Sequence, residues 1–290
     1  MPELPEVETI VRQLGRHLAG RRIERAEVLR ENVVRGSVRR FERALAGTTV
    51  TQVGRRGKFI VARLADGRVW LTHLRMSGKY QLANPSAGGT DCERPARRVA
   101  EAPPPIYARA IFRLDDGTSL FYVDPRTLGE MVVLPAAEWR RREAMLGPEP
   151  LEPSFTPWAL QDLLAGSRRP VKEFLLDQTK IAGLGNIYAS EALWRARVSP
   201  RRRARNVGPV RAARLHRAIV EVLGEAIGMS GTSLGATYQD WADGAGERGR
   251  FYDFLAVYDR EGEPCRSCGN PIRRIVQGQR STYFCPGCQR

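Results

Sequence analysis

No apolar run in this sequence approaches the ~20 residues needed to span a bilayer, so a membrane-spanning chain is not expected. The first residues, Met1-Pro2-Glu3-Leu4-Pro5-Glu6, lack the basic-then-apolar profile of a signal peptide, which points to a soluble, cytoplasmic protein. Histidine is scarce (His17, His73 and His216), so histidine-based catalysis is poorly supplied. No HExxH motif occurs, and the glycine-rich 181–186 stretch matches neither a P-loop nor the dinucleotide fingerprint. Lysine is nearly absent: Lys58, Lys79, Lys172 and Lys180 are the only four among 47 basic residues. That skew towards arginine also fits a GC-rich genome.

What is present is positive charge. The 290 residues carry a formal charge of +15, which favours a polyanionic partner, nucleic acid before an anionic membrane surface. With 42% hydrophobic and 27% charged residues, the composition is that of a globular protein, and the length suits two domains or a domain with an appendage.

Four of the five cysteines fall near the end, as Cys265-x2-Cys268 and Cys285-x2-Cys288. Paired CxxC spacing of this kind suits one zinc ion held by four thiolates, with disulfides as the alternative. Four protein ligands leave no open position for water, so such a zinc is structural. Cys92 has no partner in its Pro/Gly/Arg-rich surroundings and reads as an incidental thiol.

Val7, Ile10, Val11, Leu14 and Leu18 repeat at helical spacing, predicting a helix over 5–19 that ends at Gly20. Residues 48–134 have strand character. Hairpins are expected around Asp66-Gly67 and Asp116-Gly117, in a β-sandwich or barrel. Between them, 83–105 reads as a loop insertion. After Leu146-Gly147-Pro148-Glu149-Pro150, helices are expected near 156–165, 170–178, 187–197 and 209–228. The stretch Gly228–Gly249, with Thr232, Ser233, Thr237 and Tyr238, reads either as a loop over a site or as a plain connection. At Ile181-Ala182-Gly183-Leu184-Gly185-Asn186, Asn186 is a candidate N-cap, and free amides at that helix start would suit a DNA phosphate; a simple turn is the alternative. Once Met1 is removed, Pro2 would offer a secondary amine able to attack a sugar carbon, with Glu3 beside it for proton transfer.

These pieces, in this order, resemble the formamidopyrimidine-DNA glycosylase family of base-excision repair enzymes. The likeness is carried by residues 1–8, Arg56-Gly57-Lys58, His73-Leu74-Arg75-Met76-Ser77-Gly78, Asp124-Pro125-Arg126, residues 146–151, Gly183–Glu191 and Gln279-Arg280. It implies an α+β multidomain fold: a catalytic β-sandwich with an N-terminal helix (2–135), a linker (136–151), a helix–two-turn–helix domain (152–258) and a zinc-finger hairpin (259–290). The implied activity is that of a bifunctional glycosylase/AP lyase, excising oxidised purines from duplex DNA. It would act as a monomer with one structural zinc on Cys265, Cys268, Cys285 and Cys288, in a bacterial cytoplasm at the nucleoid.

By the same resemblance, Pro2 is the Schiff-base nucleophile and Glu3 the proton donor and acceptor, supported by Glu6. Lys58 serves β-elimination and Arg280 the later δ-elimination. Met76 and Arg126 fill the void left by an extruded base. Leu128 stands where the family usually has phenylalanine, and it cannot stack as a ring does. Tyr107 stands where a DNA-contacting histidine is common. His73, Arg168, Lys172 and Asn186 fall at DNA contacts, and Gly228–Phe251 at a lesion-capping loop. An endonuclease VIII type acting on oxidised pyrimidines is the near alternative, and a non-catalytic damage-binding zinc protein the distant one.

Overall fold

Apolar spacing in the first twenty residues is met by helix α1 (Leu4–Leu18), with Val7, Ile10, Val11, Leu14 and Leu18 all buried. The computed structural model describes residues 2–83, 103–232 and 249–290. Cys92, the body of the 83–105 insertion, and Ser233, Thr237 and Tyr238 of the glycine-rich stretch lie outside them.

The chain divides into two compact units. Of the described residues, one unit comprises 2, 7–83 and 103–141, and the other 3–6, 142–232 and 249–290. The first four residues of the Glu-rich N-terminus after Pro2 thus belong with the later part of the chain. The helical segment and the zinc hairpin, expected as separate domains, fall within one unit.

In the first unit, strands β1 (Ile23–Val28), β2 (Val50–Arg56), β3 (Phe59–Leu64), β4 (Arg68–His73), β5 (Lys79–Ala83), β6 (Ala108–Leu114), β7 (Ser119–Val123) and β8 (Glu130–Pro135) form two antiparallel sheets. Their orders are β1-β6-β7-β5 and β2-β3-β4-β8. Inward residues of both sheets, including Ile23, Ile60, Trp70, Phe112 and Tyr122, share one core with the apolar face of α1. Trp70 and Phe112 meet across it at 4.6 Å between ring centroids. This is the expected sandwich. Both Asp-Gly turns form as well, with Gly67 at φ +83 and Gly117 at φ +81, a region glycine enters without a Cβ penalty.

Three elements were not anticipated. Strand β1 alternates poorly, burying Ile23 and Ala26 and exposing Glu24 and Arg25, with a register shift between Ile23 and Arg25. Helix α2 (Val38–Leu45) is capped by Ser37, whose hydroxyl accepts from the Arg40 amide. Helix α3 (Ala136–Glu143) occupies the start of the expected linker and buries Trp139.

The second unit contains α4 (Pro157–Ala165), α5 (Val171–Leu176), α6 (Asn186–Arg195) and α7 (Pro209–Gly228), close to the expected spans. A hairpin of β9 (Arg273–Gln277) and β10 (Arg280–Phe284) follows. Its two-residue loop, Gly278-Gln279, has φ of +52 and +61, the positive pair of a type I′ turn. Among the described residues no helix is long and apolar enough to cross a membrane.

Candidate active site and zinc centre

In the second unit, Glu3 is only 2% exposed, and a buried carboxylate is tolerated only when well hydrogen-bonded. It accepts from the amides of Ile187 at 3.0 Å and Tyr188 at 3.3 Å, in the first turn of α6. Those are the free amides that the sequence assigned to a DNA phosphate. A carboxylate from 184 residues earlier in the chain takes them instead, and the positive helix end stabilises its charge. Asn186 is correspondingly not the cap: Gly185 holds that position, with no side-chain cap bond, and Asn186 is the first helical residue. A Cβ on Gly185 would overlap the Glu3 carboxyl, so glycine is needed there for close approach.

Glu6 is 8% exposed. Its Oε2 accepts from the Glu3 amide at 2.9 Å, while Oε1 accepts from the Tyr188 hydroxyl and from the Thr232 amide and hydroxyl at 2.7 and 3.0 Å. Burial first, and then the charges of Glu6 and Glu3, push the Tyr188 phenol well above its ordinary range. Tyr188 therefore stays a hydrogen-bond donor. Neither Tyr188 nor Thr232 was singled out from the sequence as a partner of Glu6.

Lys172, expected at a phosphate, is 1% exposed and turns its ammonium inward. Nζ donates to the Ser281 carbonyl at 2.9 Å and the Thr282 hydroxyl at 2.7 Å on β10. Burial lowers its pKa to about 7, against the opposing pull of Glu3 and with help from Arg280. Asn186 Nδ2 donates to the same Ser281 carbonyl at 2.9 Å. Both residues thus grip the peptide next to Arg280, which is exposed at the start of β10. Arg168 is exposed ahead of α5.

Cys265, Cys268, Cys285 and Cys288 place their sulfurs within 4.8 Å of one another, and none is in a disulfide. The Cys265–Cys288 and Cys268–Cys285 separations are 3.9 and 3.4 Å, near the ~3.8 Å edge of a tetrahedron with Zn–S of about 2.3 Å. The donor set and spacing fit one structural zinc. Trp194 Nε1 and Asn270 Nδ2 each donate to a sulfur, at Cys265 and Cys268 respectively, both at 3.4 Å. Such outer bonds orient thiolate ligands. One turn before Trp194, buried Glu191 accepts from the amides of Ala256, Val257 and Tyr258 at 2.9–3.0 Å, fixing the chain that leads into the hairpin.

In the first unit, Pro2 and Lys58 are buried, Lys58 in the two-residue loop between β2 and β3. His73 closes β4. Its Nδ1 accepts from the Arg75 amide at 3.1 Å, which leaves Nε2 to carry the proton of a neutral ring. Burial, then the charges of Arg75 and Lys58, push it down to about 4. Met76, Tyr107, Arg126 and Leu128 are all exposed. Tyr107 sits at φ +69 with the Arg109 guanidinium 5.7 Å from its ring centroid.

Comparison with known proteins covers the chain almost end to end. Residues 1–131 match the formamidopyrimidine-DNA glycosylase N-terminal domain, 146–237 the helix–two-turn–helix domain of that enzyme, and 262–290 the zinc finger found in it and in isoleucyl-tRNA synthetases. A formamidopyrimidine-DNA glycosylase of Symbiobacterium thermophilum is 43% identical, with 100% of this chain and 89% of that protein covered. One from Rhodopseudomonas palustris is 41% identical with both chains covered completely. Among solved structures, the Lactococcus lactis enzyme in complex with DNA containing N7-benzyl-Fapy-dG superposes with a TM-score of 0.87 at 31% identity, over 100% of each chain. The same Lactococcus enzyme with DNA containing an oxidised pyrimidine gives 0.86 at 32%, again over 100% of each chain. The chain belongs to the formamidopyrimidine-DNA glycosylase family.

Proposed function

We propose that this protein is a DNA glycosylase and AP lyase of base-excision repair, acting on oxidised purines such as 8-oxoguanine and formamidopyrimidines in duplex DNA. The observation that carries the reading, beside family membership, is the buried Glu3 carboxylate held by two helix-end amides directly after Pro2 in the chain. A carboxylate fixed in this way is prepared for proton transfer without reorganisation.

With Met1 removed, the Pro2 nitrogen attacks C1′ of the damaged nucleotide as the glycosidic bond breaks and the base leaves with a proton. The resulting iminium acts as an electron sink. Loss of a 2′ proton then expels the 3′ phosphate (β-elimination), and a second elimination expels the 5′ phosphate. Glu3 delivers and accepts protons at the sugar, and Glu6 together with Tyr188 holds its backbone in place. Lys58 moves the β-elimination proton, and Arg280 binds phosphate during δ-elimination. Met76, Arg126 and Leu128 fill the vacated base position, while His73, Tyr107 and Arg168 contact the DNA backbone. Lys172 and Asn186 serve DNA binding through the hairpin peptide they hold. The zinc fixes the fold of that hairpin. Residues 2–135 form the catalytic domain, and the site of action is a bacterial cytoplasm, at the nucleoid, with the protein as a monomer.

Since the Lactococcus neighbour has been solved with oxidised-pyrimidine DNA, an endonuclease VIII-like preference is the second arm of the test. Borohydride trapping on duplexes containing 8-oxoguanine opposite cytosine, and dihydrouracil in parallel, should give an adduct at Pro2 on the first. An adduct on dihydrouracil alone would move the protein to the pyrimidine branch. No adduct on either duplex, with Pro2 exposed and zinc bound, would favour binding without catalysis. Pro2→Gly should cripple the lyase step and leave DNA affinity largely intact.

A further inference from the structure

Two exposed turns of the β-sandwich carry Met76 and the Arg126/Leu128 pair, and both are built on the same buried groups. The first turn links β4 to β5 and the second links β7 to β8. Between them lies Asp124, whose relative exposure is 0%. Its Oδ1 accepts from the Ser77 hydroxyl and from the Arg126 amide at 3.2 Å, and Oδ2 accepts from the Gly129 amide at 2.7 Å. Ser77 closes the triangle by accepting from the Arg126 amide at 3.3 Å. Arg109 fixes the same peptide from its other side, donating to the carbonyls of Asp124 at 2.8 Å and Pro125 at 3.4 Å.

Beneath the carboxylate lies the hydroxyl of buried Tyr122. A Cβ on Gly78, in the first turn, or on Gly129, in the second, would overlap that oxygen. Each turn also holds a non-glycine residue in the left-handed region, Arg75 at φ +53 and Thr127 at φ +52. Such backbone persists only where surrounding contacts enforce it. An exposed aspartate would suffice to order one surface turn. A fully buried carboxylate spanning two turns costs desolvation, offset here by three donors drawn from both.

We propose that Asp124 is the positioning residue that holds Met76, Arg126 and Leu128 as one preformed wedge, so that filling the void of an extruded base costs no loop ordering. The inference rests on the void-filling reading of those three side chains.

Its test separates base extrusion from sugar chemistry. Asp124→Asn keeps the acceptor for Ser77 and Arg126 and loses the one for Gly129. Single-turnover rates are measured at saturating protein on an 8-oxoguanine duplex and on a duplex with a pre-formed abasic site. Losing one charge-assisted bond should slow base excision by about tenfold or more. Cleavage of the abasic duplex should change by less than about threefold, because no base has to leave the stack. Ser77→Ala, which leaves the Arg126 and Gly129 amides their acceptors on the Asp124 carboxylate, should move the same ratio by a smaller factor. It decides the matter if Asp124→Asn does not fold. Equal losses on both duplexes, or no loss on either, would overturn the proposal. A wild-type protein inert on both would instead sink the enzymatic reading itself, and this proposal with it.

Discussion

The carboxylates proposed for proton transfer and the side chains proposed as a wedge are built differently. Glu3 and Glu6, the proposed proton-transfer pair, are themselves buried and well supplied with donors: two helix amides on Glu3, and the Glu3 amide, a phenol and Thr232 on Glu6. In the β-sandwich unit the proposed wedge residues Met76, Arg126 and Leu128 are exposed, and the hydrogen-bonded carboxylate is that of buried Asp124. A proton-transfer group profits from a fixed, water-poor surrounding. A wedge must reach into a duplex, so only its foundation can be buried. The comparison predicts that damage to the first arrangement abolishes chemistry, while damage to the second spares chemistry and weakens lesion access.

The largest effect should come from the metal. Chelation, or Cys265→Ser, should disorder the hairpin that carries Arg280 and abolish DNA binding in a gel-shift assay, since structural zinc commonly contributes on the order of 10 kcal/mol to a small fold. Retained binding by metal-free protein would contradict a structural role. Next comes Gly185→Ala, whose added methyl overlaps the Glu3 carboxyl. Losing a preorganised contact of this kind should cost about 10²-fold or more in excision, and abasic cleavage should fall with it. That parallel fall is the opposite signature to Asp124→Asn, and a selective loss of excision in Gly185→Ala would break the comparison.

The smallest effect concerns pH. His73 is held at about 4 by burial and by the Arg75 and Lys58 charges, against 6.5 for a free imidazole. Between those values the unfolded chain binds more protons than the folded one, so His73 lowers stability as pH falls from about 6.5 to 4 and has no such effect above. Over the same range down to about pH 5 it should add no cation to the DNA-binding surface. DNA affinity of wild type and His73→Gln, titrated from pH 8 to 5, should run parallel; a gain confined to wild type would show a histidine that charges.

Local order was legible where the chain repeats or punctuates itself. The spacing Val7–Leu18, the two Asp-Gly turns, the four later helices and the cysteine pairs each encode their own element. Strand β1 was not readable because Ile-Glu-Arg-Ala-Glu-Val lacks clean alternation, and it pairs only through register with β6, more than eighty residues away. The same limit explains Asn186 and Lys172. By local rules one is a cap and the other a surface cation. Their actual partners, Ser281 and Thr282, lie 95 to 110 residues further along, and the helix amides are met by Glu3. Tyr188 and Glu191 stood inside a recognised motif, yet the motif alone does not say which buried atoms they meet. Asp124 likewise belonged to a quoted motif, with nothing local to join it to Ser77.

The type I′ turn at Gly278-Gln279 turns the zinc hairpin into a ruler. Cys268 and Cys285 fix both ends of a sixteen-residue span, and the turn at Gly278-Gln279 fixes the register between them, pairing Gln277 with Arg280. Side chains alternate faces along a strand, so one residue added between the turn and Cys285 would carry Arg280 to the opposite face while leaving all four thiolates able to meet. Length, as much as residue identity, is therefore under constraint in this segment. A survey of insertions should find the 83–105 stretch permissive and residues 269–284 closed to any change in number.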